Sequence, residues 1–108
     1  MSRRIIVHDE ARFDVIDIAY AISDDNVEAS IRFIDAIDAA YRRLSEMPGV
    51  GALRDYANPR FTGMRMWPVT GFEKYLIFYQ STDEQIRIIR VLHGARDLTA
   101  IFAVNPEP

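Results

Sequence analysis

The sequence predicts an α+β domain in which a helix hairpin packs on one face of a twisted antiparallel sheet, followed by a short C-terminal helix. Three observations predict this fold. A short β-branched segment opens the chain, two stretches with helical periodicity follow it, and three apolar segments joined by short connections come last. The expected order of elements is therefore β-α-α-β-β-β.

The opening segment is predicted to be a strand that leads directly into a helix. Residues 4–8 are short, apolar and β-branched, as strands are. Asp9 is expected to cap a helix that runs to about residue 23. The apolar residues of this helix fall on two neighbouring stripes. They are Phe13, Ile16 and Tyr20 on one stripe, and Val15, Ile18 and Ile22 on the other.

A second helix is predicted after a break at residues 23–26. Asp25 and Glu28 resemble a capping box at its start, and Pro48 with Gly49 ends it after about Met47. One face of this helix is apolar. That face comprises Phe33, Ile37, Ala40, Leu44 and Met47, with Ile34 and Tyr41 beside it. Because the break is short, the two helices are expected to form an antiparallel hairpin.

The second half of the chain is predicted to form a meander. Residues 49–63 have the composition of a loop, and residues 64–69, 74–80 and 86–93 have that of strands. Their short connections favour antiparallel pairing. Gly94 ends the last strand, and residues 95–103 are predicted to form the tail helix. The chain shows no repeat, low-complexity segment or linker, so residues 1–108 are predicted to form a single domain.

Composition excludes several classes of protein. The 108 residues include no cysteine, which excludes disulfides and thiolate metal sites. No apolar run is long enough for a secretory signal or a membrane helix, so we expect a soluble, cytoplasmic protein without a membrane partner. The net charge of -3 argues against a broad, nonspecific nucleic-acid binder. His8, Asp9 and Glu10 are adjacent and would rarely converge on an ion, so neither a metal nor a cofactor is predicted.

Two motifs in the second half are distinctive. Residues 75–79 read YLIFY, and after a polar turn residues 90–98 read RVLHGARDL. Together with a short first strand and a helix hairpin that ends in Met-Pro-Gly, this pattern resembles the ParE branch of the RelE/ParE toxins. These are the toxins of type II toxin–antitoxin modules, including plasmid stabilization systems. The resemblance extends from about residue 4 to residue 102.

This resemblance implies a small toxin and a protein partner that neutralises it. The partner would be a ParD-like antitoxin, with a DNA-binding N-terminal part and a C-terminal segment that wraps the toxin, in a toxin–antitoxin hetero-oligomer. Toxins of the ParE branch inhibit DNA gyrase and trap broken DNA. Toxins of the RelE branch instead cut messenger RNA on the ribosome.

The residues favour the gyrase branch. Cleavage of RNA without a metal needs a base, an acid and cations that stabilise the phosphorane. By the resemblance, the nuclease branch carries an arginine where Leu76 stands, and a tyrosine near the chain end where His93 is followed by Gly94. We therefore expect no catalytic residue and a toxin that inhibits gyrase. The alternatives are a ribosome-dependent mRNA endoribonuclease or a non-toxic module that only binds an antitoxin. The nuclease would use Arg65, Lys74, Arg90, His93 and Arg96.

Five residues are candidates for contact with a partner. Arg96 follows a glycine and is the best candidate for recognition. Arg65 and Trp67 share a strand face and would form an exposed pair of the kind common in interface hot spots. Phe61 and Phe72, expected in loops, are candidates for contact with the antitoxin.

Strand periodicity makes two further predictions. The YLIFY segment is apolar on both faces, so the face away from the helices is expected to be covered by the antitoxin or by a second toxin copy. Arg87 and Arg90 are separated by an odd number of positions, which would place them on opposite faces of a regular strand.

Overall fold

The computed structural model describes residues 2–104, so both ends of the predicted domain, Met1 and residues 105–108, lie outside the described part of the chain. Within it the predicted α+β fold is confirmed. Two short elements, a two-residue strand and a 3-10 helix at Pro59–Phe61, lie in the predicted loop. The elements in chain order are β1 (Arg4–Val7), α1 (Asp9–Asp25), α2 (Val27–Glu46), β2 (Ala52–Leu53), β3 (Arg65–Val69), β4 (Phe72–Ser81), β5 (Gln85–His93) and α3 (Leu98–Ile101).

The five strands form one mixed sheet in the order β1-β5-β4-β3-β2. The predicted meander is confirmed, because β3, β4 and β5 pair antiparallel. The sheet is not antiparallel throughout, however. The first strand pairs in parallel with the last one, with Ile5 opposite Ile86 and Val7 opposite Ile88. This pair joins the two ends of the described chain.

The helix hairpin is confirmed, but both predicted caps are wrong by one residue. His8 is the N-cap of α1 and makes no side-chain cap bond, and Asp9 lies in the first turn, where its carboxylate still suits the helix dipole. Asn26, rather than Asp25, caps α2, and its side chain accepts a hydrogen bond from the Ala29 amide at 3.0 Å. Asp25 is the last residue of α1, so one residue separates the helices.

The larger core lies between the hairpin and the sheet. The predicted face of α2 is buried there, apart from Met47, which caps the helix and is 50% exposed, and Ile34, predicted beside that face, is also exposed. Only one stripe of α1, formed by Val15, Ile18 and Ile22, packs against this core. The other predicted stripe faces outward. Its residues Phe13, Ile16 and Tyr20 are 64%, 45% and 72% exposed.

A second core covers the opposite face of the sheet. Phe102, which directly follows α3, is buried among the rings of Tyr56, Phe61 and Phe78, with ring centroids 4.9, 5.1 and 4.8 Å away. The chain itself therefore covers the face that was expected to need a partner. The tail helix is only four residues long, shorter than predicted, and Phe61 is buried rather than exposed in a loop.

A bulge in β5 changes the predicted facing of two arginines. Phe78 lies opposite Arg90 while Tyr79 lies opposite Ile88, so Ile89 is an extra residue on β5. Because the bulge shifts the alternation by one, Arg87 and Arg90 lie on the same face of the sheet. The prediction that they face opposite sides assumed a regular strand and is wrong.

The loop after α2 is fastened to the sheet by Tyr79. Its hydroxyl donates to the Pro48 carbonyl at 2.8 Å and accepts from the Gly51 amide at 2.9 Å. Burial raises the pKa of the Tyr79 phenol, which keeps its proton available for donation. A Cβ on Gly51 would lie 2.6 Å from the Tyr79 hydroxyl oxygen, so this position has no room for a side chain.

The substitution Gly51→Ala should lower the free energy of unfolding by about 1–3 kcal/mol, because the added methyl group displaces the Tyr79 hydroxyl. Gly49→Ala is the matched control, since a Cβ there meets no atom within 4 Å. Urea denaturation of both variants measures the difference. Equal midpoints for the two variants would show that Tyr79 does not constrain this loop.

Candidate functional site

Arg90, a candidate for the nuclease alternative, is engaged in an ion pair with α1. Its Nε and Nη2 atoms donate to the two carboxylate oxygens of Asp14 at 2.7 and 3.0 Å, and Glu10 lies 3.5 Å from Nη1. These hydrogen bonds with Asp14 raise the pKa of Arg90. A guanidinium held in this bidentate way is oriented by the fold.

The edge of β5 explains why a carboxylate lies at this point. β1 pairs with β5 only as far as Ile88, whose carbonyl accepts from the His8 amide at 2.9 Å. Beyond this point α1 lies beside β5, and Asp14 accepts a hydrogen bond from the Val91 amide at 3.0 Å. The Asp14 carboxylate therefore accepts hydrogen bonds both from an unpaired backbone amide of β5 and from the Arg90 guanidinium.

Arg65 also has a structural partner. Its Nη1 atom donates to the carbonyls of Gly51 and Gly49 at 2.8 and 3.3 Å, which holds the loop that Tyr79 fastens. The expected exposed pair of Arg65 with Trp67 does not form. Trp67 is half-buried, and the cation above its ring is Arg43, 5.6 Å from the ring centroid.

The end of β5 presents the remaining candidates on an ordered turn. The Nδ1 atom of His93 accepts from the Ala95 amide at 3.0 Å, and its ring packs edge-on against Tyr75 at 5.3 Å. The Arg96 amide donates to the His93 carbonyl at 3.1 Å. The side chains of Lys74 and Arg96 are exposed, and neither forms an ion pair within residues 2–104.

The five nuclease candidates do not all converge on one point, because only Lys74, His93 and Arg96 lie together at the end of β5. Arg65 lies opposite Tyr79, and His93 lies opposite Tyr75, which precedes Tyr79 by four residues of β4, or about 13 Å of strand. Arg90 belongs to the other face of the sheet, opposite Phe78. Arg65 and Arg90 are thus separated from His93, the candidate base.

Leu76, the residue that replaces the expected arginine, packs against the turn after β5. It lies opposite Leu92, and both contribute to the second core. A Cβ on Gly94 would lie 3.3 Å from its Cδ1 atom, so the chain passes closely over it. The apolar side chain of Leu76 therefore has apolar neighbours at this position.

Most of the large apolar side chains that are exposed within residues 2–104 lie on the two helices, on a surface that sequence reasoning missed. It comprises Phe13, Ile16 and Tyr20 of α1 with Val27, Ile31 and Ile34 of α2, all more than a third exposed, and we call it the hairpin face. A shallow groove of about 280 Å³ runs between the helices, lined in part by Ile16, Tyr20 and Ile34. The sequence of α1 could have predicted this exposed surface, because the helix carries two apolar stripes although only one can pack on the sheet.

Acidic side chains are numerous on the two helices that carry the hairpin face. Residues 9–46 contain ten aspartates and glutamates but only four arginines. Asp17, Asp24, Glu28 and Asp35 are all exposed on these helices. The two helices that carry this apolar surface therefore have a net negative charge.

Known proteins resemble this chain in sequence and in fold. Residues 5–98 match the family model described as the ParE toxin of the type II toxin-antitoxin system parDE. The chain belongs to this family. The resemblance inferred from the motifs at residues 75–79 and 90–98 is confirmed, and both motifs lie within the matched range.

A solved structure shows the same fold at low sequence identity. It is described as the chromosomal ParDE toxin–antitoxin system from P. aeruginosa. The two structures have a TM-score of 0.66 and 16% sequence identity. The match covers 85% of this ParE-family chain and 96% of the P. aeruginosa chain. No curated protein matches this chain.

Within residues 2–104, no helix is long and apolar enough to cross a membrane, and no three His, Asp or Glu side chains gather as metal ligands.

The substitution Asp14→Asn should destabilise the ParE-family chain by about 2 kcal/mol, because it leaves the Arg90 guanidinium partly buried without its carboxylate. Asp17→Asn is the control, since Asp17 is exposed on the same helix and should change stability by less than about 0.5 kcal/mol. Urea denaturation monitored by circular dichroism measures both. A loss no greater than that of the control would contradict a structural role for this ion pair.

Proposed function

We propose that this ParE-family chain is a toxin that inhibits DNA gyrase and that a ParD-like antitoxin neutralises it. The separation of Arg65 and Arg90 from His93 supports this choice over RNA cleavage. Arg90 is held by Asp14, Arg65 is held by loop carbonyls, and His93 lies about 13 Å of strand away from Arg65. An inhibitor of gyrase needs no catalytic group, because it acts by binding one state of its target more tightly than another.

The turn after β5 is the proposed contact with gyrase. Among the five partner-binding residues predicted from sequence, Arg96 is exposed, while Phe61 is buried and Phe72 packs edge-on against Phe33 at 5.4 Å. The turn is braced by the bond from the Ala95 amide to His93 and by the bond from the Gly94 amide to the Lys74 carbonyl at 2.7 Å. A braced turn presents an arginine with less loss of entropy on binding.

The hairpin face is the proposed docking site for the antitoxin. An apolar patch of this kind on a small protein marks an interaction surface. The exposed acidic side chains of these helices favour a partner segment of opposite charge, so the bound segment should be amphipathic, with apolar side chains in the groove and Lys or Arg at its sides.

Purified gyrase should lose supercoiling activity when the chain is added, and cleaved DNA should accumulate because the toxin binds a state in which the DNA is broken. Addition of the antitoxin should reverse both effects. A supercoiling assay resolved on agarose gels measures them. If gyrase is unaffected at a toxin concentration that arrests cell growth, the gyrase proposal fails, and cleavage of messenger RNA on ribosomes becomes the next assay.

The substitution Arg96→Ala should weaken inhibition of gyrase by about tenfold, since an exposed arginine at the centre of an interface commonly contributes more than 1 kcal/mol. Arg42→Ala is the control, because Arg42 is also exposed but lies on α2. Inhibition curves for the two variants should separate, while their thermal unfolding should match that of the wild type. Coincident curves would remove Arg96 from the interface.

The double substitution Ile16→Ser with Tyr20→Ser should weaken antitoxin binding at least about tenfold, because two apolar side chains leave the interface. The fold should be retained, since both residues are exposed. Leu53→Ser is the control, an exposed leucine at the sheet edge far along the chain from the hairpin face. Isothermal titration with the antitoxin compares them, and equal affinities would place the antitoxin elsewhere.

A further inference from the structure

The imidazole of His93 holds the turn that presents Arg96. Its Nδ1 atom accepts a hydrogen bond from the Ala95 amide at 3.0 Å, and the His93 carbonyl accepts from the Arg96 amide at 3.1 Å. Among the described residues, no other side chain bonds to the backbone of residues 94–96. The course of the chain just before Arg96 therefore depends on one ring nitrogen.

The ring itself is held in place by β4. Tyr75 lies opposite His93, and the two rings meet edge-on with their centroids 5.3 Å apart. Tyr75 packs in turn against Phe33 of α2, with ring centroids 5.5 Å apart, so the contact leads into the larger core. His93 is only partly buried, and Ala95 is exposed. The imidazole is thus anchored on one side and open to protons from solvent.

The bond to Ala95 requires a neutral imidazole. A backbone amide can only donate, so Nδ1 must present its lone pair and the ring proton must lie on Nε2. A protonated imidazole carries hydrogen on both nitrogens and has no acceptor left. Protonation therefore breaks this bond and sets two N–H groups against each other. Histidine side chains ordinarily gain their proton between about pH 8 and pH 5.

No acidic side chain of residues 2–104 pairs with the imidazole to offset this loss. Asp14 of α1 accepts from Arg90 and from the Val91 amide, and Asp97 accepts from the Ala100 amide at 3.1 Å. The other charged side chains near this end of β5 are Asp17 of α1, Glu73 and Lys74 of β4, and Arg96 of the turn, all exposed. The protonated ring therefore exchanges a hydrogen bond for no partner within the described chain.

We propose that His93 is a positioning residue for the contact with gyrase, whose neutral imidazole holds the turn that presents Arg96 and whose protonation releases this turn and weakens inhibition. This inference rests on the proposed inhibition of gyrase. A released turn must be ordered again when it binds, which lowers affinity. The loss of one hydrogen bond between neutral groups should weaken inhibition by about fivefold.

Two substitutions separate this hydrogen bond from the rest of the ring. In His93→Asn the side-chain oxygen stands where Nδ1 stood, so it can accept from the Ala95 amide, and it does not titrate. In His93→Gln the side-chain oxygen stands where Nε2 stood, so this acceptor is lost. Both variants lose the ring contact with Tyr75, so the difference between them reports on the hydrogen bond. His8→Asn is the control, since His8 is the only other histidine and makes no side-chain cap bond.

Supercoiling by gyrase is measured with each variant at about pH 8 and about pH 6. Every result is expressed relative to His93→Asn at the same pH, which cancels the effect of pH on gyrase itself. On this scale, the wild-type chain and His8→Asn should both inhibit about threefold less well at the lower pH. His93→Gln should inhibit about fivefold less well than His93→Asn at both values.

The turn is also observed without gyrase, in ¹⁵N correlation spectra of the chain recorded across the same pH range. As the His93 ring protons titrate, the Ala95 amide proton should move upfield with the same midpoint. Its temperature coefficient should change to that of an amide bonded to water. In His93→Asn both properties of the Ala95 amide should stay constant.

The outcomes separate this proposal from the proposed function. If wild type and His93→Asn keep the same ratio at both pH values and His93→Gln equals His93→Asn, the role of His93 is overturned while inhibition of gyrase stands. An Ala95 amide that keeps its shift and temperature coefficient while the His93 ring titrates also overturns it. If the wild-type chain inhibits gyrase at neither pH, both proposals are overturned.

Discussion

Strands β4 and β5 are apolar on both of their faces, and the rest of the molecule is arranged to keep both faces from water. The helix hairpin covers one face, and the segment from Tyr56 to Met64 together with the tail at Phe102 covers the other. Since the hydrophobic effect grows with the apolar area removed from water, neither cover is dispensable in so small a domain. One consequence is that the stripe of α1 turned away from the sheet stays largely exposed within the described chain.

The same arrangement decides which charged side chains can bind a partner and which are held by contacts within the fold. Arginine makes up nearly all of the basic residues, and two of the arginines that chemistry singled out are used by the fold. Arg90 closes a strand edge with Asp14, and Arg65 holds a loop. Side chains that remain exposed, such as Arg96, are the ones free to recognise another molecule. Charge at a position is thus a poor guide to function until its partners are known.

Local patterns made the elements predictable, and interactions between distant parts of the chain made the rest unpredictable. Periodicity placed both helices and the meander, because burial of one face imposes a repeat on the sequence. It could not show that β1 pairs with β5, nor that an extra residue at Ile89 would move Arg90 to the face of Arg87.

The sequence also did not show which residues of the candidate site would be buried. The two stripes of α1 look alike in sequence, and only tertiary packing decides that Ile18 faces the core while Tyr20 faces outward. Nothing local marks Arg43 as the companion of Trp67, or Phe102 as the cover of Phe61.

The pairing of the first strand with the last has a consequence for how the protein is made. The Asp14–Arg90 pair spans 76 residues, and β1 meets its partner at a similar separation. Contacts this distant in sequence slow folding, because a long loop must close before they contribute. On the ribosome, β1 and both helices emerge long before β5 exists to receive them. The order of synthesis therefore delays an intact toxin until almost the whole chain has been translated, whereas the hairpin that we assign to the antitoxin emerges first.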